Sequence, residues 1–262
     1  MLRILALGDV VGEEGVRLLE NGGRLRRLIG ERRADLTIVN GENSAEGNGT
    51  SRESAERLLD AGADVITGGN HTWRRRDVYR LLDEGECLIR PANYPPDAPG
   101  VGCVIAEARG YRVLVLNLIG TVYMDPVTPP ADTAARILKN EQGKYDLAVC
   151  DFHAEATSEK LFLARYFDGK FAAVFGTHTH VQTADAQVLP GGTGYITDLG
   201  MCGPVRSVIG REVAPVLRKF RTGIPQKFDV AGGPAAMTGC LFDIDPATRL
   251  CRSATAVRYA EA

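Results

Sequence analysis

Apolar residues in this chain fall into short dense runs, separated by stretches in which they recur every three or four positions. The first pattern marks buried strands and the second marks surface helices. "LRILALG" ends in Gly-Asp, as a buried parallel strand would. Over residues 13–33, Val16, Leu18, Leu19, Leu25, Leu28 and Ile29 stand among charges, which predicts a helix with a glycine-weakened middle. "DLTIVN" is a second strand and "SRESAERLLDAG" a helix, with Ser51 as N-cap and Gly62 just past its end. "DVITGGN" is a third strand and "RRRDVYRLLDEG" a third helix. This alternation implies parallel strands joined by right-handed crossovers.

The rhythm then breaks. "GCVIAEARGYRVLVLNLIG" is two β-rich runs around Arg109-Gly110, a hairpin signal, and "RPANYPPDAPG" (90–100) is a Pro-rich surface loop. Alternation resumes through "TAARILKNEQGKYDLAVCDFHAEATSEKLFLARYFDGKFAAVFGTHTH". After it, "GGTGYITDLG", "QKFDVAGG", "TGCLFDID" and "TRLCRSATAVRY" read as antiparallel strands, with Asp245-Pro246 turning the last two. The expectation is one α/β domain over residues 1–262 with a mixed, two-sheet core.

Composition narrows the class. A chain of 262 residues, 44% hydrophobic and 24% charged, has the make-up of an ordinary globular protein. Its net charge of −2 lacks the basic excess of an electrostatic nucleic-acid binder. Six cysteines without a C-x-x-C pair, several inside apolar runs, read as buried free thiols in a reducing compartment. No run of 18 apolar residues exists, and "MLRILALGDVVG" is too short an apolar stretch for a signal peptide. The expected location is the cytoplasm, with no membrane partner.

Chemistry gathers at the strand ends. Asp9 follows the first strand, Glu42 and Asn43 the second, and Asn70 and His71 the third. His153 follows "YDLAVCDF", and His178 and His180 follow "FAAVFGT". These are all four histidines of the chain. The carboxyl ends of parallel strands share one edge, so these residues can converge on one crevice. Singly, each has a plainer reading. Asp9 could cap a helix, Glu42 could be a solvated loop acid, and Asn43 and Asn70 could hold turns. His71 could stack on Trp73, and His153 could pair with Glu155. His178 and His180 serve one site only if the backbone bends between them or two metals flank it. Together, imidazole, carboxamide and carboxylate suit Zn, Mn, Fe or Co. Two divalent ions against Asp9 and Glu42 would leave a positive site, able to hold hydroxide and an anionic phosphodiester. His71 has the pKa class to protonate a leaving alkoxide.

The loops "GDVVG", "GENSAEG", "GGNHTW", "DFHAEATSEK" and "GTHTHVQTAD" resemble those of the calcineurin-like metallophosphoesterases, in particular the YmdB-like phosphodiesterase branch. The likeness continues in "ITDLGMCGPVRSVIG" and "FRTGIPQKFDVAGG", so it covers nearly the whole chain. It implies an α/β fold of two packed mixed β-sheets flanked by helices, a four-layer α/β/β/α metallophosphoesterase sandwich. The usual superfamily opening is Asp-x-His; here Val11 stands in the histidine's place, and Glu42 with Asn43 replaces the second-motif Asp. Both departures are shared with the YmdB-like branch. Carried over, the resemblance implies one metal on Asp9, Glu42, Asn43 and His180. A second would lie on Glu42, Asn70, His153 and His178, with Glu42 bridging and His71 as proton donor. It further implies two iron or manganese ions per chain, zinc being the other option. The substrate would be a 2′,3′- or 3′,5′-cyclic nucleoside monophosphate, with a homo-oligomer left open. Two other readings stand beside this one: a phosphomonoesterase or nucleotidase on the same site, and a slow-turnover regulatory protein that binds metal and nucleotide.

Overall fold

A computed structural model describes residues 1–260. In chain order, β1 (Leu2–Leu7) and β2 (Asp9–Val10) lead into α1 (Gly12–Glu20) and α2 (Arg24–Arg32). Then come β3 (Leu36–Asn40), α3 (Arg52–Ala61), β4 (Val65–Thr67), α4 (Tyr79–Glu84) and β5 (Leu88–Ile89). A hairpin of β6 (Cys103–Ala108) and β7 (Tyr111–Ile119) precedes α5 (Pro130–Asn140), β8 (Leu147–His153), α6 (Thr157–Tyr166) and β9 (Ala173–Thr177). β10 (Gln187–Val188), β11 (Gly194–Ile196) and β12 (Met201–Pro204) follow, then α7 (Val213–Thr222), β13 (Ala235–Asp245) and β14 (Leu250–Ala260).

The strands form two mixed sheets. One runs β2-β12-β13-β1-β3-β4-β5, with β14 also on β13; the other runs β10-β11-β9-β8-β7-β6. β1, β3, β4 and β5 are mutually parallel, as are β7, β8, β9 and β11. Alternation along each strand builds the layers. Leu2, Ile4 and Ala6 of β1 face Val115, Val149 and Phe175 of the other sheet, and Phe175 stacks on Phe242 at 5.9 Å. Leu5 and Leu7, pointing the other way, pack under Val16, Leu19 and Leu58 of α1 and α3. Leu114 and Leu116 pack under Ala134 and Leu163 of α5 and α6. The four-layer α/β/β/α order is therefore observed.

Three local expectations fail. The helix over 13–33 breaks at Asn21–Gly23, where Gly22 and Gly23 take φ of 61° and 65°. "GGTGYITDLG" supplies β11, which is antiparallel to β10 as expected but parallel to β9 on its other side. "QKFDVAGG" forms no strand; it is the return limb of an arm that leaves after β12, carries α7 and re-enters at β13, with one isolated bridge at Val230. By contrast, Ser51 caps α3 as expected, accepting from the Ser54 N–H at 3.0 Å.

Candidate metal centre

The parallel registers set the site. Asn40 pairs with Thr67 across β3 and β4, so the loops bearing Glu42 and Asn70 leave side by side. Ile119, His153 and Thr177 lie level across β7, β8 and β9. These two sheet edges meet, and Asp9, Glu42, Asn43, Asn70, His71, His153, His178 and His180 gather between them.

His153 is fully buried, and its ring is oriented by a relay. The Thr177 hydroxyl donates to Asp151 Oδ1 at 2.7 Å, so the His153 Nδ1–H donates to Thr177 Oγ1 at 2.9 Å. Asp151 also accepts from Thr67 and Asn40. Burial pushes the Asp151 carboxyl up to about 6, against the pull of these donors and of His153. Nε2 of His153 is then left facing Asn70 Oδ1 at 3.0 Å, Glu42 Oε2 at 3.4 Å and His178 Nδ1 at 3.1 Å. Glu42, His153 and His178 each offer a ligand atom within 4.8 Å of the others.

His180 is arranged on the same logic. Its Nδ1 lies 3.0 Å from the Ile209 carbonyl, which can only accept, so Nδ1 carries the hydrogen. Nε2 points at Asp9 Oδ1 at 3.6 Å. Asp9 is fully buried, and among the described residues its Oδ1 finds no hydrogen-bond partner. His178 and His180 reach one site because the backbone bends at both, with φ of 102° and 63°. Such values are rare for a residue with a Cβ and mark strain held by its surroundings. Asp198 does much of the holding: it accepts from the Thr179 N–H and hydroxyl and is paired with the buried Lys160 at 2.8 Å.

These contacts provide the test for a cation. Two lone-pair nitrogens face carboxylate and amide oxygens with too few protons between them, an arrangement that a cation or extra protons must offset. Without a cation, burial lowers the affinity of His153 for its proton, but Glu42, Asp9 and Asp151 outweigh that and raise its pKa to about 9. Burial and the charge on His153 push His178 down to about 4. Glu42 is held well below the usual range: burial opposes ionisation, and His153 and His71 overcome it. Gly69 leaves the space open, since a Cβ there would sit 2.4 Å from both Glu42 Oε2 and His153 Nε2. The donor set fits divalent metal.

Two predicted residues hold other contacts. Asn43 turns its amide nitrogen to Glu42 Oε1 (2.7 Å) and His180 Nε2 (3.4 Å), so ligation through its oxygen needs a half-turn of the amide. His71 donates its backbone N–H to Glu42 Oε2, and its Nδ1 faces Glu42 Oε1 and Asn43 Oδ1, both at 3.1 Å. Its Nε2 takes no part in these bonds. Trp73 meets Tyr94 edge to face rather than stacking on His71, and Glu155 pairs with His178 at 3.0 Å rather than with His153. Sequence reading missed Asp151, Thr177, Lys160 and Asp198. An acid inside the apolar run "LAVCDFH", two positions before His153 and so on the same face, was the available signal for Asp151.

The chain is similar to known proteins along nearly its whole length. Residues 5–257 match the family model described as YmdB-like protein. The 2′,3′-cyclic-nucleotide 2′-phosphodiesterase of Bacillus subtilis (strain 168) is 41% identical, over 95% of this chain and 93% of that one. The crystal structure of a hypothetical protein from Thermus thermophilus is 42% identical with a TM-score of 0.92, covering 100% of both chains. That of a novel phosphatase from Mycoplasma pneumoniae is 36% identical with a TM-score of 0.92, over 99% of this chain and 94% of the other.

Proposed function

The chain belongs to the YmdB-like family of calcineurin-like metallophosphoesterases, and from that premise we propose that it is a two-metal phosphodiesterase of cyclic nucleotides, 2′,3′-cyclic nucleoside monophosphates first among them. It is an enzyme that hydrolyses phosphoric esters. The observation that carries the reading is the buried Asp9 Oδ1, without a hydrogen-bond partner among the described residues, facing the His180 lone pair beside the Glu42, His153 and His178 cluster.

Asp9, Glu42, His180 and a turned Asn43 would hold one ion; Glu42, Asn70, His153 and His178 would hold the other. Iron or manganese suits this set, with zinc the alternative. When bound, such ions supply positive charge to the phosphoryl oxygens and acidify water. The chain's own residues do the rest. Asp151, through Thr177, and the Ile209 carbonyl fix which nitrogen His153 and His180 present. Glu42 Oε1 fixes His71 by Nδ1, leaving Nε2 to pass a proton to the leaving ribose oxygen. The name of the Bacillus relative supports the substrate class. Six unpaired cysteines fit a reducing cytoplasm.

The test is hydrolysis, by Mn²⁺-loaded protein, of 2′,3′- and 3′,5′-cyclic nucleotides, an aryl phosphodiester and the matching monoester. Faster turnover of the diesters is expected. A preference for the monoester would favour a nucleotidase, and turnover of none of them a binding protein.

A further inference from the structure

The space between the sheets opens beside His180 into a pocket of about 300 Å³ that runs on from the metal centre. Strand register places it. Leu7 pairs with Gly239, and the Gly8 N–H donates to the Thr238 carbonyl at 3.0 Å, so Thr238 of β13 lies one residue short of the level of Asp9. Arg258 of β14 pairs with Thr238. Two strand spacings, about 10 Å, therefore separate Arg258 from the level of Gly8. Alternation sets which way it faces. Cys240 and Phe242 pack between the sheets, whereas Met237 and Val257 pack on the helix side. Thr238, two positions before Cys240, and its cross-strand partner Arg258 thus stand on the inter-sheet face, at its open end. His180, Val181, Met201, Val205 and Ala236 form the walls. Val181 and Val205 are 60% and 42% exposed, so water meets apolar surface there.

Two polar side chains complete the lining. The Arg258 guanidinium makes no ion pair among the described residues. Gln182 donates through Nε2 to the Gly239 and Val257 carbonyls at 2.8 and 3.0 Å, which fixes its amide and leaves Oε1 to accept. A donor fork, an acceptor and apolar walls match a flat ring with a polar edge, as a nucleobase has. A second phosphate would instead set its charge against Val181 and Val205. We propose, resting on the cyclic-nucleotide reading above, that this pocket holds the base of the substrate and selects guanine. Arg258 donates to guanine O6 and N7, and Gln182 Oε1 accepts from the N–H groups of its Watson–Crick edge. Adenine would bring its N6 amino group against the guanidinium, donor to donor. The span fits as well. Met201, in register with Asp9, floors the pocket, so a phosphate held at Asp9 and His180 leaves one ribose and one base to reach Arg258.

Steady-state kinetics of the full, Mn²⁺-loaded chain test it, on 2′,3′-cyclic GMP, its 7-deaza analogue, 2′,3′-cyclic AMP and an aryl phosphodiester. The wild type is expected to favour cyclic GMP over cyclic AMP by about 10-fold or more in kcat/KM. The 7-deaza analogue, which lacks N7, should lose most of that advantage without any change to the protein. Arg258→Met should bring the two purines to parity; a general structural defect would slow both alike and leave their ratio unaltered. Val205→Trp, which fills the pocket from its exposed wall, should raise KM for both cyclic purines more than for the aryl diester. Equal turnover of the two purines by the wild type would sink the base pocket and leave the cyclic-nucleotide reading standing. So would indifference to the 7-deaza change, or discrimination that survives Arg258→Met. Cleavage of the aryl diester with both cyclic purines inert would overturn that reading, and the base pocket with it.

Discussion

The two halves of the proposed metal centre are built differently. The His153 half rests on strands: its orienting groups, Thr177, Asp151, Thr67 and Asn40, lie on β9, β8, β4 and β3 and are each at most 1% exposed. The His180 half leans on a loop. Its imidazole is oriented by the carbonyl of Ile209, a residue 51% exposed, with φ of 46°, at the root of the α7 arm. One half is therefore set by the central sheets, and the other by a surface turn held by the Val208–Arg211 bridge and by the Ala231 N–H bond to Gly210. Strand-borne groups open only with the core, while surface segments open at far smaller free energy. Metal on the His180 side should thus be the more easily lost.

The largest effect is expected where the halves join. Glu42→Gln keeps the shape but removes the carboxylate proposed to serve both ions. At least one ion per chain should be lost, and hydrolysis should fall about 10³-fold or more. Metal analysis alongside the assay checks this; two ions retained at wild-type affinity would remove Glu42 from that role. His71→Ala probes chemistry apart from either half. Both ions should stay, and turnover of a cyclic nucleotide should fall about 10²–10⁴-fold. An aryl diester, whose leaving group departs without a proton, should suffer much less. Equal losses on both substrates would make His71 a phosphate-positioning group.

Lys160→Met acts on the loop common to both halves. It strands the buried Asp198, which holds Thr179 between the two bent histidines, and should destabilise the chain by about 3–5 kcal/mol in urea denaturation. A loss under about 1 kcal/mol would mean that Asp198 needs no counter-charge. Asp151→Asn breaks the relay behind His153 alone, so metal affinity on that side should drop about 10–100-fold. The mildest change should be Gly210→Ala. Gly210 has φ of 92°, and a Cβ would sit 2.6 Å from Val11 Cγ1, so the turn carrying the Ile209 carbonyl must shift. Affinity on the His180 side should fall less than about 10-fold, with the His153 side unaffected. If Gly210→Ala weakened both sides equally in a metal titration, the division between the halves would be wrong.

The sequence by itself determined the alternation of strand and helix. From that alternation followed the strand-end edges that carry Asp9, Glu42 and Asn70 on one sheet and His153, His178 and His180 on the other, because parallel strands leave their carboxyl ends together; the packing of the two sheets brought those edges face to face. The caps at Ser51 and Gly62 were legible for the same reason: they are local chemistry, read within a few residues. Tertiary structure decided the rest. Whether His178 and His180 share a site depended on two backbone bends that Asp198 and Lys160 hold from elsewhere in the chain. The partner of His180 is a backbone carbonyl, which any residue at position 209 would supply, so no side-chain pattern announces it. The direction of β11 and the absence of a strand in "QKFDVAGG" depended on which neighbours were free to pair. No helix over residues 213–222 is read from the sequence, and only the packing shows that Leu217 and Phe220 of α7 point away from the body. Each of these is settled by contacts between segments distant in the chain, whose free energy no local stretch contains.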